Sequence, residues 1–168
     1  ARVVWDESMA TGVPKLDEQH KVLLAKLNEL EVAMKQGRGR DMIEGILDFL
    51  GQYVQQHFSD EEDCMEKYRC PIAAKNKAAH AQFVETFNTL RERFRREGAS
   101  AALVADIQAE LTDWLIKHIR RVDTQLHPCV VSRRQPTSCQ VTRPVAMQEI
   151  GAAQVERIHS GDGAMSLN

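Results

Sequence analysis

Four stretches of the chain carry apolar residues at every third or fourth position, which places those residues on one face of an α-helix. Breaks between the stretches fall at Gly37 and Gly39, at Cys70 and Pro71, and at Gly98. Asp41 and Ser100 are suitable N-terminal caps for the second and fourth helices. The pattern therefore predicts four amphipathic helices of about 20 residues each.

The connections between these helices are short, and short connections make consecutive helices antiparallel. We therefore expect an all-α protein, an antiparallel up-down-up-down four-helix bundle within residues 1–126. Residues 1–15 are predicted to form an extended arm because Gly12 and Pro14 interrupt regular structure. Residues 127–168 contain three prolines and are expected to be a tail, mostly loop or disordered, with a weak helix at 145–158.

Composition narrows the class of protein. The chain has 168 residues and a net charge of −2, which gives no electrostatic reason to expect nucleic acid or membrane lipid as a partner. We see neither an apolar run of about 20 residues nor a signal peptide, and so expect a cytoplasmic protein. Its four cysteines form no Cys-x-x-Cys pair and are expected to be free thiols: Cys64, Cys70, Cys129 and Cys139.

Metal-binding residue types interrupt the apolar face of every predicted helix. They are His20 in the first, His57 and Glu61 in the second, His80 in the third, and His118 in the fourth, with Asp123 near its edge. One buried histidine is best explained as an ordinary core residue. Six such residues on four faces are harder to explain in that way, because burying an unpaired carboxylate costs several kcal/mol.

The positions of these residues along the helices bring them to one level. His20 is early in the first helix and His57 late in the second, and the same holds for His80 and His118 in the third and fourth. In an antiparallel bundle, these early and late positions lie at the same end. Imidazole suits zinc, copper, iron and nickel. One ion cannot use four histidines and two carboxylates and keep an open position, whereas two ions can, and the set suits iron.

Five segments resemble motifs of the hemerythrin family, specifically the bacterial hemerythrins. They are Trp5 with Gly12, Leu16-Asp17-Glu18-Gln19-His20, His57-Phe58-Ser59-Asp60-Glu61-Glu62, His80-Ala81-Gln82-Phe83, and the segment from Trp114 to His118 followed by Asp123. The resemblance covers about residues 3–126 and implies reversible O₂ binding at a non-haem di-iron centre rather than an enzyme. The expected role of this O₂ binding is oxygen storage, delivery or sensing. NO or small anions such as azide are further expected ligands.

The resemblance also implies a ligand set. In that set, one iron is bound by His20 and His57, and the other is bound by His80 and His118. The two irons are bridged by Glu61, by Asp123 and by an oxo or hydroxo group. Trp114 shields such a site or is a plain core aromatic. Phe58, Phe83 and Phe87 line a dry pocket or belong to the core.

Asn76 departs from the family pattern, in which the third helix carries two histidines four residues apart. An amide oxygen is a weaker ligand than imidazole, so we expect an exchangeable, water-filled position on the second iron, or loss of that iron. Easier autoxidation would then favour a sensor, acting through a separate protein partner because the tail is too short for an output module. Two alternatives remain: a di-iron oxidase or peroxidase-like enzyme that uses the open position, and a metal-free interaction bundle.

Overall fold

The computed structural model describes residues 2–132, and the tail beyond residue 132 lies outside it. Four long helices form the body of the molecule: α1 (Pro14–Lys35), α2 (Gly39–Lys67), α3 (Ala73–Glu97) and α4 (Ala101–Arg121). A 3-10 turn at Glu7–Met9 precedes α1, and a second at Asp123–Gln125 leads into the short helix α5 (Leu126–Ser132). The predicted all-α four-helix bundle is confirmed.

The predicted apolar faces meet in the interior. A large core runs along the bundle and contains Leu23, Leu27, Ile43, Leu50, Phe83, Ile107 and Leu111. A smaller core, with Leu16, Met65, Tyr68 and Leu126, fills the end where α5 docks. The polar cluster described below lies between these two apolar cores. On α1, for example, its residue His20 comes after Leu16 of the smaller core and before Leu23 of the larger one. The cluster is therefore away from solvent.

Helix ends differ from the prediction at two places. Pro14 is the first residue of α1 rather than part of the arm, as suits a residue that lacks an N–H donor. Asp41 lies inside the first turn of α2, which begins at Gly39, so the predicted cap is wrong and its charge instead complements the helix dipole. Ser100 does cap α4, because its hydroxyl accepts a hydrogen bond from the N–H of Leu103 at 3.2 Å.

The N-terminal arm is fastened to the bundle at both ends. Val3 exchanges two hydrogen bonds with the Asn28 side chain on α1, at 3.0 and 2.6 Å. Gly12 has a φ of +81°, and a Cβ there would lie 2.7 Å from the His127 ring. Only glycine fits this backbone conformation and this close approach.

A disulfide joins the α2–α3 turn to α5. Cys70 and Cys129 are bonded across 59 residues of sequence, and none of the cysteines in the described part of the chain is free. The prediction of free thiols is therefore wrong, because sequence spacing alone did not reveal that α5 folds back onto this turn. The predicted domain boundary at 126 falls where α5 begins, and the division itself stays a prediction.

Within residues 2–132, no helix combines the length and the apolar character needed to cross a membrane.

Candidate metal centre

The six predicted ligands are all buried and lie together. Their exposed fractions range from 0 to 6%, and the six are His20, His57, Glu61, His80, His118 and Asp123. The first five come from α1 to α4. Asp123 follows α4 in the 3-10 turn, so the end of the helix at Arg121 turns its carboxylate back toward His118.

Each carboxylate faces histidines from both halves of the cluster. Glu61 directs Oε1 toward Nε2 of His20, at 3.8 Å, and Oε2 toward Nε2 of His80, at 3.2 Å. Asp123 directs Oδ2 toward Nε2 of His20, at 3.3 Å, and Oδ1 toward Nε2 of His118, at 3.0 Å. A carboxylate with one oxygen on each side has the geometry of a bridge between two cations.

The cluster divides into two groups of closely spaced ligand atoms. His20, His57 and Glu61 form one group, which we call position A. Position B comprises Glu61, His80, His118 and Asp123. Within each group the ligand atoms lie within 4.8 Å of one another, and Glu61 belongs to both. The side chains therefore offer two adjacent cation positions with a shared ligand.

Several of these buried polar atoms have no hydrogen-bond partner within the described residues. They are both ring nitrogens of His20, Nε2 of His80, Oε1 of Glu61 and both carboxylate oxygens of Asp123. Leaving a buried polar atom unsatisfied costs about 1–3 kcal/mol, and more for a charged group. Cations at positions A and B would satisfy the carboxylate oxygens and Nε2 of His20 and of His80, so the donor set fits a metal centre.

Asn76 lies inside the same cluster, fully buried on α3. Its amide oxygen is 2.9 Å from Nε2 of His118, and its amide nitrogen donates to Oε2 of Glu61 at 3.2 Å. The side chain therefore occupies position B between a histidine and a carboxylate. The amide oxygen faces the same space as the ligand atoms.

Two histidines of the cluster are oriented by hydrogen bonds from their Nδ1 atoms. Nδ1 of His57 donates to the side-chain oxygen of Gln19 at 3.0 Å, and Gln19 in turn donates to Asp60 at 2.7 Å. Nδ1 of His80 donates to Oε1 of Glu62 at 3.0 Å. Such bonds fix the tautomer that leaves Nε2 free for a metal ion.

These supporting residues were not predicted from the sequence. The acidic run from Asp60 to Asp63 is typical of a solvated face, and only Glu61 was expected to be buried. Asp60 and Glu62 are only partly exposed, and both belong to the hydrogen-bonding network around the site. One feature of the sequence could have indicated their role. Asp60 and Glu62 flank the predicted ligand Glu61, and residues next to a ligand on one helix can reach the adjoining helix.

Electrostatics shift the pKa values of the two histidines of position A in opposite directions. Burial, reinforced by the His20 imidazole, lowers the pKa of His57 to about 3. Burial also opposes the charged form of His20, but the nearby carboxylates of Asp123 and Glu61 raise the pKa of His20 above its usual value. His57 is therefore neutral at neutral pH, the form that binds metal.

The two carboxylates are shifted in opposite directions. Burial and the nearby Asp123 charge raise the pKa of Glu61. Burial also disfavours the charged form of Asp123, but the nearby His118 and His20 imidazoles outweigh it and hold the pKa of Asp123 well below its usual value. Asp123 is thus the carboxylate that carries the negative charge most firmly.

Aromatic rings cover the cluster on the side of the large core. Phe58 stacks on the His80 ring with centroids 3.7 Å apart, and Trp114 stacks on His118 at 4.4 Å. Phe58 and Trp114 also line a small cavity of about 20 Å³, enclosed otherwise by Leu23, Leu27, Leu50, Val54, Phe83, Leu111 and Leu115. Phe58 and Trp114 thus contact both this apolar space and the histidines of position B.

Comparison with known proteins gives consistent matches. A family model described as the hemerythrin HHE cation binding domain matches residues 11–130. A bacteriohemerythrin of Methylococcus capsulatus is 32% identical over 131 residues, which cover 77% of this chain and 98% of that protein. A myohemerythrin of Theromyzon tessulatum is 27% identical over 119 residues, covering 71% and 86%. A crystal structure of a point mutant is 31% identical, with a TM-score of 0.66 and coverage of 76% and 96%.

Proposed function

We propose, from the premise that the chain belongs to the hemerythrin family, that it binds O₂ reversibly at a non-haem di-iron centre. The observation that carries the proposal is the pair of carboxylates, Glu61 and Asp123, each with one oxygen toward each histidine group. Two ions held side by side need such bridges, whereas a single ion would leave one side of each carboxylate without a partner.

The proposed ligands are those of the two positions. His20 and His57 would hold the iron at position A, and His80 and His118 the iron at position B, with an oxo or hydroxo group as a third bridge. When bound, the two irons supply the electrons and the open coordination position that O₂ needs. The protein supplies imidazole ligands, of which that of His57 is neutral at pH 7 because its pKa is lowered to about 3.

The surroundings of the site suit a small uncharged gas. The cavity of about 20 Å³ is lined by apolar side chains and exceeds the roughly 10–15 Å³ that one water molecule needs. Apolar cavities of this kind stay dry. In this proposal Trp114 and Phe58 keep water from His118 and His80, which limits protonation and loss of bound oxygen.

Asn76 bears on what the oxygen binding is for. A neutral amide is a weaker ligand than imidazole, so we propose that position B keeps an exchangeable place for water, azide or NO. Such a place speeds autoxidation and favours sensing of O₂ or redox state over durable storage. The enzyme alternative would use the same place, but turnover of peroxide with simple reductants would be needed to support it.

The proposal includes a cytoplasmic location, in which the Cys70–Cys129 disulfide would face a reducing environment and would be kept as two thiols. Rapid alkylation of thiols in intact cells tests this part. Cys129 should then be alkylated, since it is the more exposed of the two. Complete protection would place the protein in an oxidising compartment.

Iron analysis with visible spectroscopy tests the proposed centre. The purified protein should contain two irons per chain and show charge-transfer bands that shift on addition of azide. Glu66→Gln, which removes a charge from the exposed face of α2 one turn beyond the site, serves as a control and should behave like the wild type. One iron per chain, zinc instead of iron, or no visible bands would refute the di-iron proposal.

A further inference from the structure

The two cation positions differ in the group that accepts a hydrogen bond from Nδ1 of one of their histidines. At position A, Nδ1 of His57 donates to the neutral amide of Gln19. At position B, Nδ1 of His80 donates to the carboxylate of Glu62. A hydrogen bond to a carboxylate is roughly twice as strong as one to a neutral acceptor, and it makes the imidazole a better electron donor.

The His80 ring has little freedom to escape this bond. It is 2% exposed and stacks flat on Phe58, with the ring planes 8° apart. With Nδ1 donating to Glu62, the lone pair of Nε2 faces Oε2 of Glu61 at 3.2 Å, inside position B. The orientation and the tautomer of His80 therefore both depend on the Glu62 contact.

Position B is also the one that contains an amide. Asn76 presents an uncharged oxygen there, 2.9 Å from Nε2 of His118, where a further imidazole would be a stronger ligand. The weaker ligand and the charge-supported histidine thus occur on the same side of the cluster. A stronger His80 donor would offset the weaker Asn76 donor.

We infer that Glu62 is a positioning residue that strengthens His80 as a metal ligand and so makes retention of the ion at position B depend on its charge. The inference rests on the proposed di-metal function. Glu62 would not touch the ion itself. Its neighbour Glu61, about 100° away around α2, would bridge the ions, whereas Glu62 reaches α3.

An ordinary surface ion pair is the competing explanation. Lys77 Nζ lies 4.0 Å from Glu62, but Lys77 is 77% exposed, and exposed pairs of this kind contribute little. The Glu62 side chain is 28% exposed and makes its shorter contact, 3.0 Å, with the buried histidine. Removing Lys77 therefore separates the two roles.

Titration of the metal-free full-length chain with Co²⁺ tests the inference, with binding followed by calorimetry and by the visible Co²⁺ bands. Wild-type protein should bind two ions. In Glu62→Gln, which keeps the size of the side chain, one of the two dissociation constants should rise roughly 10- to 100-fold, with altered visible bands for that ion. Lys77→Gln should leave both constants unchanged.

A second variant links the effect to position B. In the double variant Glu62→Gln with Asn76→His, the added imidazole should restore tight binding of the second ion. The melting temperatures of metal-free Glu62→Gln and Lys77→Gln should agree, because the inferred role acts on the metal and not on the fold.

The outcomes separate the inference from the function beneath it. If wild-type protein and Glu62→Gln both bind two ions with equal affinities, the positioning role of Glu62 is wrong and the di-metal centre stands. If Lys77→Gln reproduces the loss, Glu62 acts through the ion pair and the inference is also wrong. If the wild type binds fewer than two ions, the proposed function fails and the inference with it.

Discussion

The amide oxygen of Asn76 lies 2.9 Å from Nε2 of His118, so a neutral side chain shares the interior of the site with a histidine. Both residues are buried, and the Asn76 amide nitrogen also donates to Glu61. Asn76 therefore contacts two of the proposed ligands. It is a side chain through which the reactivity of position B can be changed without removing one of the six proposed ligands.

Replacing Asn76 with histidine should slow autoxidation of the oxygen-loaded protein. The new imidazole would fill the exchangeable place that water and anions are proposed to use. We expect a decrease in rate on the order of tenfold, equivalent to about 1.4 kcal/mol on the barrier. The decay of the visible bands in air-saturated buffer measures it.

Azide affinity provides the control for this substitution. Asn76→His should bind azide more weakly than wild type, while Asn76→Ala should bind it at least as well, because alanine leaves the place open. Equal autoxidation rates in wild type and Asn76→His would show that position B is not where water enters.

Glu61 and His80 should differ in the number of ions that depend on them. Glu61 faces both histidine groups, so Glu61→Ala should reduce binding at both positions, whereas His80→Ala should leave the ion at position A. Metal content per chain after desalting distinguishes the two patterns. If Glu61→Ala kept one tightly bound ion, its carboxylate would not be a bridge.

Metal removal should lower the thermal stability of the wild type, because a ligand that binds only the folded state stabilises that state. At a free metal concentration 100 times the dissociation constant, the effect is about 2.7 kcal/mol. Thermal unfolding with and without a chelator measures it. A chelator should leave the melting temperature of Glu61→Ala almost unchanged, and an unchanged wild type would indicate a metal-free bundle.

His57 should make the metal-free protein less stable in mild acid. Its pKa falls from the ordinary 6.5 to about 3 in the folded chain, so between these values the unfolded chain binds more protons. The stability is therefore lost as the pH falls from 6.5 toward 3. At pH 5 the loss from this group is about 2 kcal/mol.

Urea unfolding of metal-free wild type and His57→Gln at pH 6.5 and pH 5 isolates this effect. The loss on going to pH 5 should be smaller in the variant, and His127→Gln, at an exposed histidine, should behave like the wild type. Equal pH sensitivity in wild type and His57→Gln would contradict the lowered pKa of His57.

His20 and His80 affect stability in a different pH range. Their pKa values are raised, so the stability they contribute is complete below pH 6.5 and is lost as the pH rises through those values.

The Cys70–Cys129 disulfide should contribute substantially to the stability of the purified protein in its oxidised form. It closes a loop across 59 residues of sequence, and constraining the unfolded chain in this way is worth about 4 kcal/mol in the loop-entropy model. The double variant Cys70→Ser with Cys129→Ser should lose about this amount in urea unfolding. A loss below about 1 kcal/mol would mean that the contacts of Leu126 alone hold α5 in place.

The bundle and the six clustered residues could be predicted from the sequence because both depend on helical periodicity. His57 and Glu61 are four residues apart and thus share a face, and antiparallel packing brings His20 to their level. Asp123 was harder to place, since five residues after His118 it would point elsewhere on a continuous helix. Its position depends on the end of α4 at Arg121.

Other features depend on contacts that sequence pattern does not encode. Glu62 looks like any solvated acidic residue until α3 is packed beside it. Cys70 and Cys129 become partners only when α5 folds back over the α2–α3 turn. These contacts are long-range, and helical periodicity does not indicate which residues meet across the fold.

An oxygen titration of the reduced, iron-loaded protein under anaerobic control tests the central claim most directly. The account predicts one O₂ bound for every two irons, with visible bands that appear on oxygenation and disappear when oxygen is removed. Bands that form once and cannot be reversed, or uptake of oxygen without two irons per chain, would contradict it.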